Sequence, residues 1–216
     1  MSSSSDFVEG ISCLSPIKVV LLGSAGSGKT SIITRYIDNT FNLKQISTIG
    51  ATFQKKKFVI DQQQVSLRIW DTSGQERFRS IVPLYYRLTR VAVLVFDITK
   101  QNSLDELSFW ADQLQNQLGQ LPLLVVVGNK SDLKNLHKDC EKIIENGKQF
   151  AESIGATFSL SSALSGEGIN DFFYNVAKTI LDEKLAESED DFNSEDNGNI
   201  ENMIIIKTKE KSACCK

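Results

Sequence analysis

The sequence lacks an apolar run long enough to cross a membrane. Its longest apolar stretches, residues 91–96 and 121–127, have the length of a β-strand. The first residues, Met1-Ser-Ser-Ser-Ser-Asp6, contain neither an apolar leader segment nor a glycine at position 2 for myristoylation. We therefore expect the chain to stay in the cytosol.

The chain also lacks an excess of basic residues. It carries 24 Lys and Arg against 27 Asp and Glu, which gives a net charge of −3 at pH 7. No basic patch with interleaved aromatic residues is present. Because such a chain has no general field that attracts polyanions, we expect no nucleic-acid partner.

Cysteine is scarce, and its spacing fits neither a disulfide framework nor a metal site. Cys13 and Cys140 are isolated, whereas Cys214 and Cys215 are adjacent near the carboxyl terminus. We expect Cys13 and Cys140 to be ordinary reduced thiols.

What is present suffices for one folded domain, since 41% of the 216 residues are hydrophobic. Residues 1–15 are Ser-rich and weakly apolar, and are predicted to be a disordered extension. Residues 16–184 are predicted to form the domain. Residues 185–216 are largely acidic and polar, which predicts a flexible tail.

Strand and helix patterns alternate through the domain. The predicted strands are residues 17–22, 52–60, 65–70, 91–97, 123–128 and 157–161, and the clearest helices are 105–118, 141–154 and 169–185. Continuous apolar runs suit strands buried on both faces, so the pattern predicts a doubly wound α/β fold with a six-stranded, mostly parallel sheet. The second and third strands, joined by Asp61-Gln-Gln-Gln64, should form a hairpin with one antiparallel edge strand.

A glycine-rich loop, Gly23-Ser-Ala-Gly-Ser-Gly-Lys-Thr30, lies between the first strand and a helical segment at residues 31–37. Such a loop directs backbone N–H groups into a concave site for phosphate oxygens. Lys29 would reach the β- and γ-phosphates, and the Thr30 hydroxyl would bind Mg²⁺. The alternative is a glycine-rich turn with a solvated lysine, which the flanking strand and helix disfavour.

Three further polar motifs follow predicted strands. They are Asp71-Thr-Ser-Gly-Gln-Glu76, Gly128-Asn-Lys-Ser-Asp132 and Ser161-Ser-Ala-Leu164. Ligands of open α/β sheets bind beyond the carboxyl ends of the strands. We therefore expect these motifs to converge on one site with the glycine-rich loop.

Residues 17–182 together resemble the Ras superfamily of small GTPases, and most closely the Rab family. The segments that carry the resemblance are Ile49-Gly-Ala-Thr-Phe53, Leu67-Arg-Ile-Trp70, Arg77-Phe-Arg-Ser-Ile81, Tyr85-Tyr-Arg87 and Phe96-Asp-Ile-Thr99. The resemblance implies a P-loop GTPase domain that binds GTP, GDP and Mg²⁺, switches between the two nucleotide states and regulates vesicle trafficking. Ser47-Thr-Ile-Gly-Ala-Thr-Phe53 and Phe109-Trp110 are similar to the early-endosomal branch.

The resemblance also implies how guanine is bound. The Asp132 carboxylate would accept hydrogen bonds from the guanine N1–H and 2-amino groups, and the Ala163 N–H would donate to O6. The other residues implied at the base are Phe41, Asn129, Lys130, Ser162 and Leu164. Leu164 departs from the Lys that is usual in the family.

At the phosphates, the resemblance implies contacts from Gly26, Ser27, Gly28, Lys29, Thr30 and Ser31. Thr30, Thr48 and Asp71 would hold Mg²⁺, the Gly74 N–H would meet the γ-phosphate, and Gln75 would act catalytically by positioning the attacking water. No arginine is assigned to the γ-phosphate, so we expect slow hydrolysis that an activating protein accelerates. Ala25 could crowd this chemistry, and Ser73 replaces the usual Ala.

The carboxyl terminus, Ala213-Cys-Cys-Lys216, fails the C-a-a-X rule but resembles the Rab double geranylgeranyl site. Two lipids on Cys214 and Cys215 would give stable attachment to the cytoplasmic face of endomembranes, with cycling to the cytosol. The implied partners are an exchange factor, a GTPase-activating protein, effectors that bind the two switch segments, a prenylation escort and a GDP-dissociation inhibitor. The chain itself is expected to be a monomer.

Two other functions remain open at this point. A P-loop kinase of small metabolites would need an acceptor site and an arginine-bearing lid, and neither is found in the sequence. A guanine-nucleotide-binding scaffold with little turnover is suggested by Ala25 and Leu164.

Overall fold

The computed structural model describes residues 15–194, and their side chains up to residue 186. The six strands are β1 Ile17–Leu22, β2 Ala51–Ile60, β3 Gln63–Thr72, β4 Val91–Asp97, β5 Leu123–Asn129 and β6 Thr157–Ser161. The α-helices are α1 Lys29–Asp38, α2 Gln101–Gln117, α3 Cys140–Ser153 and α4 Ile169–Ser194. A 3₁₀ segment covers Glu76–Tyr85, and a shorter one covers Ser131–Leu133.

The strands form one sheet in the order β2-β3-β1-β4-β5-β6. All neighbouring strands are parallel except β2 and β3, which are antiparallel, so β2 is an antiparallel edge strand. This arrangement confirms the predicted doubly wound α/β fold. It also places the carboxyl ends of β1, β3, β4, β5 and β6 along the same edge of the sheet.

The central strands explain the long apolar runs of the sequence. Every residue of β4 is buried, and so are all but the first of β5. Apolar residues of β4 and β5 pack with α2 and α3, where Trp110 and Leu107 of α2 are almost fully buried. Because both faces of these strands are buried, their residues do not alternate between apolar and polar as those of a half-exposed strand do.

The hairpin between β2 and β3 is tighter than predicted. Ile60 pairs with Gln63, so the turn consists of Asp61 and Gln62 alone. Both residues have positive φ angles, of 46° and 65°, as a two-residue type I′ turn requires. The turn is difficult to predict because neither residue is a glycine, and the run of three glutamines gives no boundary.

Two helix boundaries differ from the prediction by four residues or more. α2 begins at Gln101 rather than Asp105, and α4 continues to Ser194 rather than ending at residue 185. The residues Glu183-Lys-Leu-Ala-Glu187 have high intrinsic helix propensity, which explains the longer α4.

The chain divides into two compact units at residues 178 and 179. The first unit holds the sheet. The described part of the second is the carboxyl-terminal portion of α4. Residues 1–14 and 195–216, which include Cys214, Cys215, the predicted extension and most of the predicted tail, lie outside the described residues.

Candidate active site

A cavity of about 430 Å³ opens at the carboxyl edge of the sheet, where the four motifs meet. The predicted residues that line it are Gly26, Gly28, Lys29, Thr30, Ser31, Phe41, Thr48, Gly74, Gln75, Asn129, Lys130, Asp132, Ala163 and Leu164. Strand register explains the convergence: Asp71 pairs with Leu21 at the ends of β3 and β1, and Asn129 pairs with Ser161 at the ends of β5 and β6.

The glycine-rich loop connects β1 to the first turn of α1. Gly28 precedes the helix with a φ angle of 97°, and a Cβ at this position would lie 2.1 Å from Asn129 Nδ2. Only glycine fits that backbone conformation and that approach. The close contact fixes the loop against the segment that follows β5.

Lys29 is buried within the loop, and its Nζ donates to the carbonyl oxygens of Gly23 at 2.8 Å and Ser24 at 2.9 Å. Burial lowers the pKa of Lys29 to about 8, although the negative charges of Asp71 and Glu106 oppose the shift. Phosphate oxygens next to this ammonium would favour its charged form. The lysine is thus placed to bind phosphate.

Three oxygen-bearing side chains meet beside Lys29. Thr30 Oγ1 donates to Asp71 Oδ2 at 2.6 Å, Thr48 Oγ1 donates to the same oxygen at 3.1 Å, and the two hydroxyl oxygens are 2.9 Å apart. The second oxygen of Asp71, Oδ1, is buried without a hydrogen-bond partner. Burial raises the pKa of Asp71, whereas the two hydrogen bonds and Lys29 oppose this shift.

This group fits the magnesium site predicted from the sequence. Hydroxyl and carboxylate oxygens are ligands that Mg²⁺ prefers, and its remaining positions are usually filled by water and substrate phosphates. The unpartnered Asp71 Oδ1 supplies a further acceptor for a metal-bound water. Thr48 lies in the irregular segment between α1 and β2, so its position links the metal site to that segment.

The catalytic candidate, Gln75, follows β3 and lines the cavity. Its Oε1 accepts a hydrogen bond from Arg77 Nε at 2.7 Å, and its N–H donates to Ser73 Oγ at 3.3 Å. Ser73 is buried, and its own N–H donates to the Gly50 carbonyl at 2.8 Å. The hydroxyl that distinguishes Ser73 from the usual Ala therefore holds the backbone of Gln75.

The base side of the cavity is held together by Asn129. Its Nδ2 donates to the Ser27 carbonyl at 2.9 Å, and its Oδ1 accepts from the Ala163 N–H at 3.2 Å and from Ser161 Oγ at 3.3 Å. Asn129 thus connects the phosphate loop to the loop after β6. If the Ala163 N–H donates to guanine O6, it must either share its hydrogen between O6 and Asn129 Oδ1 or give up the bond to Asn129.

Asp132 and Ser162 form a second connection between the loops that follow β5 and β6. Ser162 Oγ donates to Asp132 Oδ1 at 2.5 Å. Asp132 is exposed and lines the cavity, whereas Ser162 is buried. The hydrogen bond fixes one carboxylate oxygen and leaves acceptor capacity for a ligand.

Sequence reasoning missed Asp97, at the end of β4. Its Oδ2 lies 2.5 Å from Lys130 Nζ, and its Oδ1 accepts from the Thr99 N–H and hydroxyl. Burial works to raise the pKa of Asp97, but these hydrogen bonds and the charge of Lys130 hold it below its usual value. The ion pair sets the direction of the Lys130 stem. An acidic residue at a strand end was the available signal.

Arg35 was also missed, because a basic residue in the last turn of α1 is typical of any helix. Its guanidinium donates to the carbonyl oxygens of Ala163 and Leu164.

Three predicted site residues do not line the cavity: Ser27, Asp71 and Ser162 act on it through the hydrogen bonds described above.

Comparison with known proteins agrees with this geometry. Residues 18–182 match the model of the Ras family. Ras-related protein Rab-21 of Homo sapiens is 42% identical over 165 residues, which cover 76% of this chain and 72% of the relative. The chain belongs to the Rab branch of the Ras family. The Ras-like GTP-binding protein RYL2 of Yarrowia lipolytica is 34% identical over 206 residues, covering 92% of this chain and 97% of the relative. The putative Rab-5B of Dictyostelium discoideum is 39% identical over 165 residues.

Family membership defines the general activity. This Rab protein binds GTP and GDP with Mg²⁺, hydrolyses GTP to GDP and phosphate, and regulates vesicle trafficking. As a Rab protein it interacts with exchange factors, activating proteins, effectors and GDP-dissociation inhibitors. The similarity to Rab-21 and Rab-5B also supports the predicted early-endosomal branch and an association with endomembranes. A scaffold without turnover is not favoured.

The described part of the chain contains no helix with both the length and the apolar character needed for a membrane span.

Proposed function

We propose that the cavity residues perform GTP hydrolysis in the roles predicted above. The observation that carries the proposal is the convergence of the Thr30, Thr48 and Asp71 oxygens beside buried Lys29, with Gln75 lining the same cavity. Lys29 and the loop N–H groups hold the phosphates, and the three oxygen-bearing residues hold Mg²⁺. Bound there, the metal neutralises charge that develops on the phosphate oxygens.

Gln75 is the proposed catalytic residue. Its Oε1 would accept a hydrogen bond from the attacking water, because an amide oxygen has two acceptor sites and Arg77 Nε occupies one of them. The Gly74 N–H would meet the γ-phosphate, since Gly74 lies directly against the phosphate loop. Hydrolysis then requires positioning rather than covalent chemistry, and it stays slow until an activating protein completes the site.

The first switch segment responds to the nucleotide through Thr48. This residue is bonded to Thr30 and Asp71, whereas the residues before it, such as Ile46 and Ser47, are exposed. With GTP bound, Thr48 would join Thr30 and Asp71 in holding the metal, and this contact would order the segment. Loss of the γ-phosphate releases Thr48.

Effectors would bind beside this switch. Phe53, Trp70 and Tyr85 form a continuous aromatic group, with ring centroids 5.4 Å and 5.5 Å apart in successive pairs. Phe53 and the neighbouring Ile49 are exposed. These residues come from β2, β3 and the 3₁₀ segment after Gln75. A partner seated on them would contact the first switch segment, around Thr48, and the second switch segment, which follows β3 and contains Gly74 and Gln75.

The proposed site at the base reads guanine through Asp132 and the Ala163 N–H, with Phe41, Lys130 and Leu164 closing the pocket.

We further propose a GTPase domain at residues 16–184 in a monomeric protein. Geranylgeranyl groups on Cys214 and Cys215, added with the help of a prenylation escort, attach it to the cytoplasmic face of early endosomes.

The test is single-turnover GTP hydrolysis by the Gln75→Leu variant. We expect hydrolysis to fall about a hundredfold, since a positioned hydrogen-bonding group for the water is lost. GTP-dependent capture of an effector should persist. Gln115→Leu, on an exposed position of α2, is the matched control and should hydrolyse GTP normally. Unchanged hydrolysis in Gln75→Leu would remove the proposed role.

A further inference from the structure

Arg35 is placed at the opposite end of α1 from Lys29 and Thr30. Its Nε donates to the Ala163 carbonyl at 2.9 Å, and its Nη2 donates to the Leu164 carbonyl at 2.6 Å. The remaining nitrogen, Nη1, donates to the Asn39 carbonyl at 2.8 Å and reaches Asn39 Oδ1 at 3.3 Å. Every nitrogen of the guanidinium is therefore bonded, and two of them hold consecutive peptide groups of one loop.

This arrangement fixes the orientation of the loop rather than only its distance from α1. The guanidinium is planar and rigid, so hydrogen bonds from two of its nitrogens restrain the direction of both carbonyl groups. The loop also lies close to the arginine stem, because a Cβ at Gly166 would lie 3.5 Å from Arg35 Cδ. A lysine could satisfy one carbonyl at a time and would not set the plane.

The same loop carries the groups that face the purine. Ser162 Oγ holds Asp132, and the Ala163 N–H points toward Asn129 Oδ1 at the cavity wall. The Leu164 side chain is half-exposed and carries no charge, so it cannot anchor the loop through an ion pair. Arg35 supplies that anchor through the backbone.

We propose that Arg35 is a positioning residue for purine recognition, which orients the loop so that the Ala163 N–H donates to O6. The inference rests on the proposed guanine site. Because Thr30 and Arg35 lie on one rigid helix, roughly 7–8 Å apart along its axis, the metal-binding and base-binding ends of the nucleotide site are held in register by α1.

The test compares ligands that differ at single purine positions. Dissociation constants are measured for GDP, for 6-thioguanosine diphosphate, which keeps the N1–H but has a weakly accepting sulfur in place of O6, and for inosine diphosphate, which lacks the 2-amino group. The proteins are wild type, Arg35→Gln, Arg35→Lys and the control Arg68→Gln, an exposed arginine of β3. Thermal unfolding of each variant is recorded alongside.

In Arg35→Gln we expect GDP to bind roughly tenfold more weakly, as for the loss of one well-placed hydrogen bond. The 6-thio nucleotide should bind nearly as in wild type, so the preference for oxygen over sulfur at position 6 falls, while the preference for GDP over inosine diphosphate persists. The GDP affinity of Arg35→Lys should lie between those of wild type and Arg35→Gln. Arg68→Gln should match wild type.

Equal weakening of all three nucleotides would show a general structural role and overturn the inference, as would unchanged GDP binding. If Arg35→Gln does not fold, the ratios of the dissociation constants measured for Arg35→Lys test the inference instead. A wild-type protein that fails to distinguish GDP from the 6-thio nucleotide would instead refute the proposed O6 contact itself, and the inference with it.

Discussion

Gly74 lies so close to the phosphate loop that a residue with a side chain would not fit at this position. A Cβ at this position would be 2.4 Å from the Ser24 carbonyl carbon and 2.5 Å from the Ala25 nitrogen. Both neighbours are backbone atoms, which cannot swing aside as a side chain can. The second switch segment therefore touches the phosphate loop only because residue 74 has no side chain.

We expect Gly74→Ala to separate these two segments. GTP hydrolysis should fall about tenfold or more, because a shift of about 1 Å at a catalytic group has effects of that size. GDP affinity should change little, since the segment faces the γ-phosphate. Single-turnover hydrolysis and GDP binding measure the two effects. Gly119→Ala is the control, as a Cβ there meets nothing within 4 Å. Normal hydrolysis in Gly74→Ala would contradict this account.

Individual site residues were predictable where the chemistry is local in sequence. Lys29 and Thr30 belong to one contiguous loop, and Asp132 follows its strand directly. Arg35 and Asp97 were not predicted, because their partners lie 128 and 33 positions away, at Ala163 and Lys130. Only the fold brings such pairs together, and neither residue type is unusual where it occurs.

At the scale of elements, α3 approaches the sheet through a glycine. A Cβ at Gly147 would lie 2.6 Å from the Cζ atom of Phe96 in β4, and 3.3 Å from Cε2 of Phe158. The glycine lets the buried ring of Phe96 fit beneath the helix. The backbone of α3 can therefore pack close to β5 and β6.

We expect Gly147→Ala to lower the free energy of unfolding. Overpacking costs about 1–3 kcal/mol, which exceeds the gain of about 1 kcal/mol from higher helix propensity. In a Phe96→Leu background the same substitution should be neutral or stabilising, since the shorter side chain makes room. Urea unfolding of the four proteins measures this cycle. Destabilisation of equal size in both backgrounds would show that Phe96 is not the cause.

The strands and helices were largely predictable, because the spacing of apolar residues along the sequence reflects which side chains are buried. The predicted bounds of β1, β4 and β6 agree with the structure. Helix ends were less predictable. α2 begins at Gln101, and its first turn contains buried Ser103, whose hydroxyl accepts from the Asp97 N–H at 3.0 Å. A polar residue buried by such a contact does not show in an apolar pattern.

For the whole molecule, membrane attachment depends on the carboxyl-terminal cysteines, which lie outside the described residues. We expect the double variant Cys214→Ser and Cys215→Ser to remain in the soluble fraction of a cell lysate, whereas a variant with one cysteine binds reversibly. Cys13→Ser is the matched control and should fractionate with membranes. Membrane binding by the double variant would refute the proposed lipid sites.

The central claim is that the loops after β1, β3, β5 and β6 form one site that reads guanine. Asp132→Asn tests it most directly, because its amide oxygen can accept from the purine N1–H while its NH₂ group donates to the 2-oxygen of xanthine, whereas in guanine that NH₂ group would face the 2-amino donor. Nucleotide binding should change from GDP to xanthosine diphosphate, and Asp112→Asn, on an exposed position of α2, should keep its preference for GDP. This gain of affinity cannot arise from misfolding. If Asp132→Asn still prefers GDP, the assigned base-reading residue and the account built on it are contradicted.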